Sequence, residues 1–431
     1  MNQNLPPLNQ ERLWRSVQTL ASFTDPDRPW TRRAFSQRFM QSREWLQKQF
    51  EEAGLALHVD AAGNLIGRRE GRNPGLSPIT TGSHCDTVLF GGRYDGIIGV
   101  LAGLEVARSL NEWNVCLEHP FELVDFLSEE PSDYGVSCVG SRAMGGVLTP
   151  SMLAERNGEG ETLEQGIARV GGRPDALSQV RRAPGDTAAF VELHIEQGPV
   201  LESKGIRIGV VSNIVGICRH RIVVTGQPDH AGTTPMSIRK DALVGASRII
   251  SAVDRKARSY GQGPDYVVAT IGNLALTPNA SNAVPGRVEM MVEVRSNCAA
   301  IMDSFTQLML DELRPDIEGM GLGLEATLVS KASPTDCDQK VMRLISEAAG
   351  SVGCDSMIMP SGAGHDAVYM AHSGPIGMIF IPCLNGRSHC PEESITPDQL
   401  LDGARVLYQT ILLLDRHLNG AAQLHGAPDP S

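Results

Sequence analysis

The stretch Ile79-Thr80-Thr81-Gly82-Ser83-His84-Cys85-Asp86-Thr87, continued by Gly91-Gly92-Arg93-Tyr94-Asp95-Gly96, sets the architecture expected of the whole chain. Pro78 marks its start, and the β-branched run Ile79-Thr80-Thr81 gives way to small residues, so a short strand opens into a loop at His84 and Asp86. A His-x-Asp at a strand end, with a further Asp in a Gly-rich loop just after it, is the beginning of a metal site. Its remaining ligands must come from elsewhere in the chain.

Downstream, the small and apolar run from Gly99 to Ala107 predicts a helix packed tightly on a sheet. A second strand over 121–127 ends in Ser128-Glu129-Glu130, so strands and helices alternate in the manner of an α/β domain. Two strands thereby deliver His84, Asp86 and an acidic pair to one sheet edge, where ligands gather in open α/β sheets. Residues 157–186 are rich in Gly, Arg, Pro and Asp and read as a helix with loops. They lead into a strand carrying His194 and Glu196 on one face, stopped by Gly198-Pro199. Upstream, Phe35, Phe39, Leu46 and Phe50 recur at helical spacing, and 55–67 alternates around Asp60 and Gly63-Asn64 as a hairpin does.

The composition changes near Ser212. Strands over 218–226, 266–274 and 286–295 and helices over 239–257 and 299–318 predict a self-contained α+β unit, 212–330, inserted into a larger domain made of 1–211 and 331–431. Regular structure resumes at 341–349 and 376–381, and the latter leads to Ser388-His389-Cys390-Pro391-Glu392-Glu393. The Gly-, Ala- and Pro-rich tail 419–431 is expected to be disordered.

A chain of 431 residues exceeds what one hydrophobic core usually holds, which agrees with two domains, and 41% hydrophobic content is that of a globular protein. A net charge of -12 argues against nucleic acid or an anionic membrane as partner, since both need a basic face. Small-molecule chemistry is the better expectation. Nine cysteines with no CxxC pair read as reduced thiols. The polar start Met1-Asn2-Gln3-Asn4-Leu5-Pro6-Pro7 lacks the apolar core of a signal peptide, and no apolar run approaches the ~20 residues that span a bilayer, so a cytoplasmic location is expected.

A histidine or aspartate at a strand end is more often a structural hydrogen-bonding residue than a ligand. Five such residues together change the balance. His84, Asp95, Glu130, His194 and His389 all fall at strand ends or in adjoining loops and supply the nitrogen and carboxylate donors that zinc accepts. Five ligands suit two metals roughly 3.5–4 Å apart with one bridging carboxylate.

The motifs Gly82-Ser83-His84-x-Asp86-Thr87, Gly91-Gly92-x-x-Asp95-Gly96, Glu129-Glu130, His194-Ile195-Glu196-Gln197-Gly198, His230-Ala231-Gly232-Thr233-Thr234-Pro235-Met236, Ser361-Gly362-Ala363-Gly364-His365-Asp366-Ala367 and Ser388-His389 resemble those of the hydantoinase/carbamoylase family of metal-dependent amidases. That family lies in the di-zinc aminoacylase and carboxypeptidase superfamily, and the resemblance runs in order from about residue 80 to 395. It implies a di-zinc exopeptidase-like catalytic domain, with a mixed sheet flanked by helices, plus an inserted α+β lid and dimerisation domain. It also implies two divalent metals per subunit, zinc first, with Mn, Co or Ni acceptable to the same ligands. Asp95 would bridge them, His84 and His194 completing one site and Glu130 and His389 the other. Asp86 would support His84, and Glu129 would be the general base that takes a proton from the attacking water and passes it to the leaving nitrogen.

A His at position 194 followed by Glu-Gln-Gly points, by the same resemblance, to the ureido-cleaving branch, with Gln197 on the carbamoyl or ureido group. His230 would stabilise the oxyanion in the partner subunit of a homodimer. Asn282 and Arg295 would hold the substrate carboxylate, the planar Arg fork suiting that task, with backbone contacts from Gly362 and Ala363. His365 and Asp366 would shape their loop. Many members follow the Glu pair with Gly, whereas here Pro131-Ser132-Asp133-Tyr134-Gly135-Val136-Ser137-Cys138 follows, which bears on substrate choice. The expected activity is hydrolysis of the C–N bond of an N-carbamoyl-L-amino acid or similar ureido acid. Allantoate amidohydrolase, β-ureidopropionase and N-acyl amino acid amidase activities are the alternatives, and the intact Glu129 and ligand set argue against a non-catalytic binding protein.

Overall fold

The computed structural model describes residues 8–261, 263 and 265–425. Its strands are β1 (Ala56–Val59), β2 (Leu65–Arg69), β3 (Ile79–His84), β4 (Phe121–Phe126), β5 (Ala189–Ile195), β6 (Ile208–Ile214), β7 (Gly216–Thr225), β8 (Val267–Thr277), β9 (Arg287–Ser296), β10 (Gly323–Ala332), β11 (Thr335–Asp336), β12 (Ser356–Ser361) and β13 (Ile376–Ile381). The chain divides into two units, one of residues 1–212, 337–359 and 364–431, the other of 213–336 and 360–363. Beside the expected insertion of 212–330, the second unit therefore also takes in β11 and the four residues 360–363.

The sheet of the first unit runs β1-β2-β4-β3-β5-β13-β6, with β12 also paired to β6. β4, β3, β5 and β13 are mutually parallel, while β1–β2, β2–β4 and β13–β6 are antiparallel, so the sheet is mixed. Every residue of β3, β4, β5 and β13 is buried, as parallel strands covered on both faces require. The helix Ile97–Glu112 covers one crossover and is itself buried along most of its length, which explains its run of small and apolar residues. β1 and β2 form the expected hairpin, and the Asp60 carboxylate ties its turn by accepting the backbone N–H groups of Ala62 and Asn64, both at 2.9 Å. The chain moves from β3 to β4 on one side and later returns to place β5 on the other. The C-terminal ends of these strands thus flank a switch point, the usual place for a ligand site.

The helix Pro397–His425 runs through most of the tail read as disordered. Leu400, Leu401, Ala404, Leu407, Tyr408, Ile411 and Leu414 form its buried stripe, so apolar burial organises the helix and its final turns simply propagate from it. Residues 426–431 of that tail lie outside the described residues.

The second unit is a four-stranded antiparallel sheet, β10-β7-β9-β8, with the helices Ala242–Ser259 and Ala299–Gly319 on its apolar face. Alternation along β9 buries Val288, Met290, Val292 and Val294 against Ile249, Phe305 and Met309. The sequence reading missed β10. Nearly all of β10 is exposed, so it carries little core periodicity and is held instead by its hydrogen-bonded ladder with β7. No helix among the described residues is long and apolar enough to cross a membrane.

Candidate active site

His84 closes β3 with a buried ring whose Nδ1 lies 3.0 Å from the main-chain oxygen of Asp86. The Asp86 carboxylate is 3.6 Å from the same nitrogen, and its two oxygens accept the backbone N–H groups of Glu129 and Glu130 at 3.2 and 3.1 Å. Asp86 therefore supports His84 chiefly through its backbone. Its side chain pins the acidic pair that follows β4. Asp95 directly precedes Gly96 and the helix Ile97–Glu112, where a carboxylate is favoured by the helix dipole. Gly96 has φ +68°, and a Cβ there would stand 2.3 Å from His84 Nε2, so the close approach of these two segments requires glycine.

Asp95 faces different partners with its two oxygens. Oδ1 lies 3.6 Å from His84 Nε2 and 3.3 Å from His194 Nε2, while Oδ2 lies 3.5 Å from His389 Nε2, which is itself 3.0 Å from Glu130 Oε1. Two groups of potential ligands result, His84–Asp95–His194 and Asp95–Glu130–His389, sharing one carboxylate. Donors about 2.1 Å from a tetrahedral zinc stand about 3.4 Å apart, and the observed separations scatter about that value. The Nδ1 atoms of His84 and His194 each lie within hydrogen-bond distance of a main-chain oxygen, which leaves both Nε2 atoms turned toward Asp95. The residues present thus fit two divalent cations.

The electrostatics point the same way. Burial disfavours charge on His84 and His194, yet Asp86 and Asp95 outweigh it at the first and Asp95 at the second, pushing both pKa values up. Asp95 and Glu130 push His389 up to about 11. A field that holds protons this firmly also attracts divalent cations, which compete with protons for these nitrogens.

Glu129 lies beside both groups and belongs to neither. Its Oε2 is 3.6 Å from His84 Nε2, and its Oε1 accepts a hydrogen bond from the Cys138 thiol at 3.3 Å. Burial, with the neighbouring charge of Glu130, raises its pKa well above the usual carboxylate range against the pull of His84, the direction that favours a group carrying a proton. Gln197, at φ +58°, donates to Asp95 Oδ2 at 2.6 Å, and its buried Oε1 has no hydrogen-bond partner among the described residues.

The remaining expected residues belong to the second unit. His230 is exposed and bridges to Ala283, next to Asn282, whose main-chain oxygen accepts the Ala231 N–H at 2.9 Å. Arg295 on β9 is held by Glu293 Oε1 at 2.8 Å and by the Gly362 carbonyl at 2.9 Å, and Ala363 N–H donates to Ser361 Oγ. Asn282 thus accompanies His230, and Arg295 accompanies Gly362.

Two buried acids, Glu192 and Glu393, escaped the sequence reading, and Asp366 was expected only to shape its loop. Glu192 stands two residues before His194 on the same face of β5 and forms a third group of potential ligands with His194 and His365. Its oxygens accept from Ser83 Oγ at 2.8 Å and Ala367 N–H at 3.3 Å. The spacing Glu192-x-His194 was the available signal. Asp366 is fully buried and accepts from Ser141 Oγ at 2.5 Å, and burial drives its pKa well up. Glu393, four residues after His389, is pushed up to about 7 by burial and by the charge of Asp95.

A mixed α/β sheet whose parallel strands present two His/carboxylate groups joined by one aspartate defines the class, a metal-dependent hydrolase. Residues 80–413 match the profile of peptidase family M20/M25/M40, and the chain belongs to that family. It is 38% identical over 402 residues to an N-carbamoyl-L-amino acid amidohydrolase of Geobacillus stearothermophilus, covering 93% of this chain and 97% of the relative. An allantoate amidohydrolase of Escherichia coli is 34% identical, over 90% of this chain and 94% of its own. A hydantoinase/carbamoylase family amidase from Burkholderia multivorans superposes with a TM-score of 0.88 at 36% identity, over 95% of this chain and 98% of that one.

Proposed function

We propose that this protein hydrolyses the ureido C–N bond of an N-carbamoyl-L-amino acid or a related ureido acid, releasing ammonia, carbon dioxide and the amino acid. The observation that carries the reading is full-length likeness to a relative named for that activity, at 38% identity. Two divalent ions, zinc for preference, held by His84, Asp95 and His194 and by Asp95, Glu130 and His389, would polarise the ureido carbonyl and make water a better nucleophile. Glu129 takes a proton from the attacking water and hands it to the departing nitrogen. Its support is a place off both ligand groups and a raised pKa.

Gln197 positions the ureido group, its unpaired Oε1 being an acceptor for a ureido N–H. Arg295 and Asn282 hold the substrate carboxylate, with Gly362 and Ala363 adding backbone contacts. Glu293 and Gly362 already fix the plane of the Arg295 fork. His230 donates to the developing oxyanion across a homodimer, and its exposure on the inserted unit supports such a role. Exposed Met236, Ile238, Leu328 and Val329 on that unit support a surface covered by a second copy. The thiol-rich composition without CxxC pairs supports a cytoplasmic location.

The E. coli relative favours allantoate as the second reading. The test is ammonia release by the metal-loaded protein from N-carbamoyl-L-amino acids, allantoate and β-ureidopropionate, with N-acyl amino acids followed by the free amino acid. Turnover of a carbamoyl amino acid is expected. Turnover of N-acyl compounds alone would overturn the ureido reading.

A further inference from the structure

We infer that Glu393, acting through Ser388, is a positioning residue that fixes Asp95 and His389 as a pair for the second metal. The inference rests on the metal site proposed above. The Glu393 side chain is completely buried, and among the described residues it makes no ion pair with Arg or Lys. Its Oε1 accepts the backbone N–H groups of Tyr94 and Asp95 at 2.7 and 3.1 Å. The Ser388 hydroxyl lies between the two carboxylates, 2.5 Å from Asp95 Oδ2 and 3.0 Å from Glu393 Oε2, with one proton to donate to either. The loop before Asp95 wraps this carboxyl so closely that a Cβ on Gly92 would stand 1.9 Å from Glu393 Cδ. A side chain at position 92 would therefore have to displace the Glu393 carboxyl.

Ser388 adjoins His389, and the same contacts therefore join the loop after β13 to the loop after β3. His389 has φ +57°, a sparsely populated conformation for a histidine, and its imidazole is half exposed. Glu130 and Asp95 face its ring, and the Glu393–Ser388–Asp95 contacts fix the residue before it, adding to the constraint on the left-handed backbone. Glu393 thus shapes the site for the cation rather than ligating it, since its oxygens face the backbone and Ser388 and not the imidazoles.

The test is calorimetric titration of zinc into the metal-stripped full-length protein without substrate, with circular dichroism to confirm folding. Glu393→Ala and Ser388→Ala are each expected to weaken binding of one of the two zinc ions by about 10–100-fold, as loss of outer supports usually does. Glu393→Gln retains an oxygen for the two N–H groups and an amide to meet Ser388, and is expected to restore affinity to within about threefold of the parent. Folded Glu393→Ala or Ser388→Ala protein with parental affinity would overturn the inference. So would Glu393→Gln losing as much as Glu393→Ala, which would assign the effect to charge rather than positioning. Should Glu393→Ala not fold, Ser388→Ala decides alone. No substrate enters the titration, so its outcome is separate from that of the ureido assay.

Discussion

Glu129 and Glu130 are neighbours in sequence with opposite fates in space, because Asp86 holds both backbone N–H groups and turns only Glu130 toward His389. Glu129→Gln is expected to lower kcat by about 10²–10⁴-fold while leaving bound metal unchanged, read by ammonia release and by elemental analysis of the same sample. A loss of metal together with activity would make Glu129 a ligand instead. Cys138, in the Pro131–Cys138 segment, donates directly to the Glu129 carboxylate. The candidate ligands were legible because each stands in a short motif of donor residues. Glu393 was not, since the backbone groups it holds at Tyr94 and Asp95 are almost 300 residues away, and nothing local distinguishes it from the exposed Glu392 beside it.

Elements are tied to this site by buried ion pairs. Arg43, from the helix Gln37–Glu52, donates to Asp125 Oδ2 at 2.9 Å, to the Gly63 carbonyl at 2.5 Å and to the Asp125 carbonyl at 3.1 Å, joining that helix to β4 and to the β1–β2 turn. Both side chains are almost fully buried. Arg43→Ala is expected to cost about 3–5 kcal/mol in urea unfolding, because it leaves the Asp125 charge without its partner. The segment after Glu130 is anchored more weakly, by the Tyr134 hydroxyl and Arg169 on Glu161. Arg169 first and then Tyr134 hold the Glu161 pKa down to about 2 from 4.5. A depressed carboxylate contributes its stability above the unfolded pKa and loses it as pH falls through the folded one. The parent's advantage over Glu161→Gln is therefore expected to be full at neutral pH and to shrink below about pH 4.5, toward zero near pH 2. Because Glu161 is partly exposed, the advantage is at most about 1 kcal/mol. Melts of both proteins across that range check it. At this scale β3, β4, β5 and β13 were readable from apolar runs and turn residues, while the exposed strand β10 was not.

For the whole molecule, the proposed homodimer makes a sharp prediction. If His230 serves the neighbouring subunit, an equimolar mixture of inactive Glu129→Gln and His230→Ala proteins, unfolded and refolded together, forms hybrids in which one of two sites has both residues. Random pairing then restores about a quarter of the parental activity. If His230 serves its own subunit, no hybrid site is complete and the mixture stays inactive.

The alternation of apolar strands and helices, the change of pattern near Ser212 and the clustered donor motifs were all determined by the sequence alone, because each depends on residues close together in the chain. Only the tertiary structure decided that Asp95 offers one oxygen to His84 and His194 and the other to His389, and that Glu393 closes around the same loop. Those relations join residues from three strand ends, those of β3, β5 and β13. Their distances are set by the parallel packing of β4, β3, β5 and β13, which no local pattern encodes.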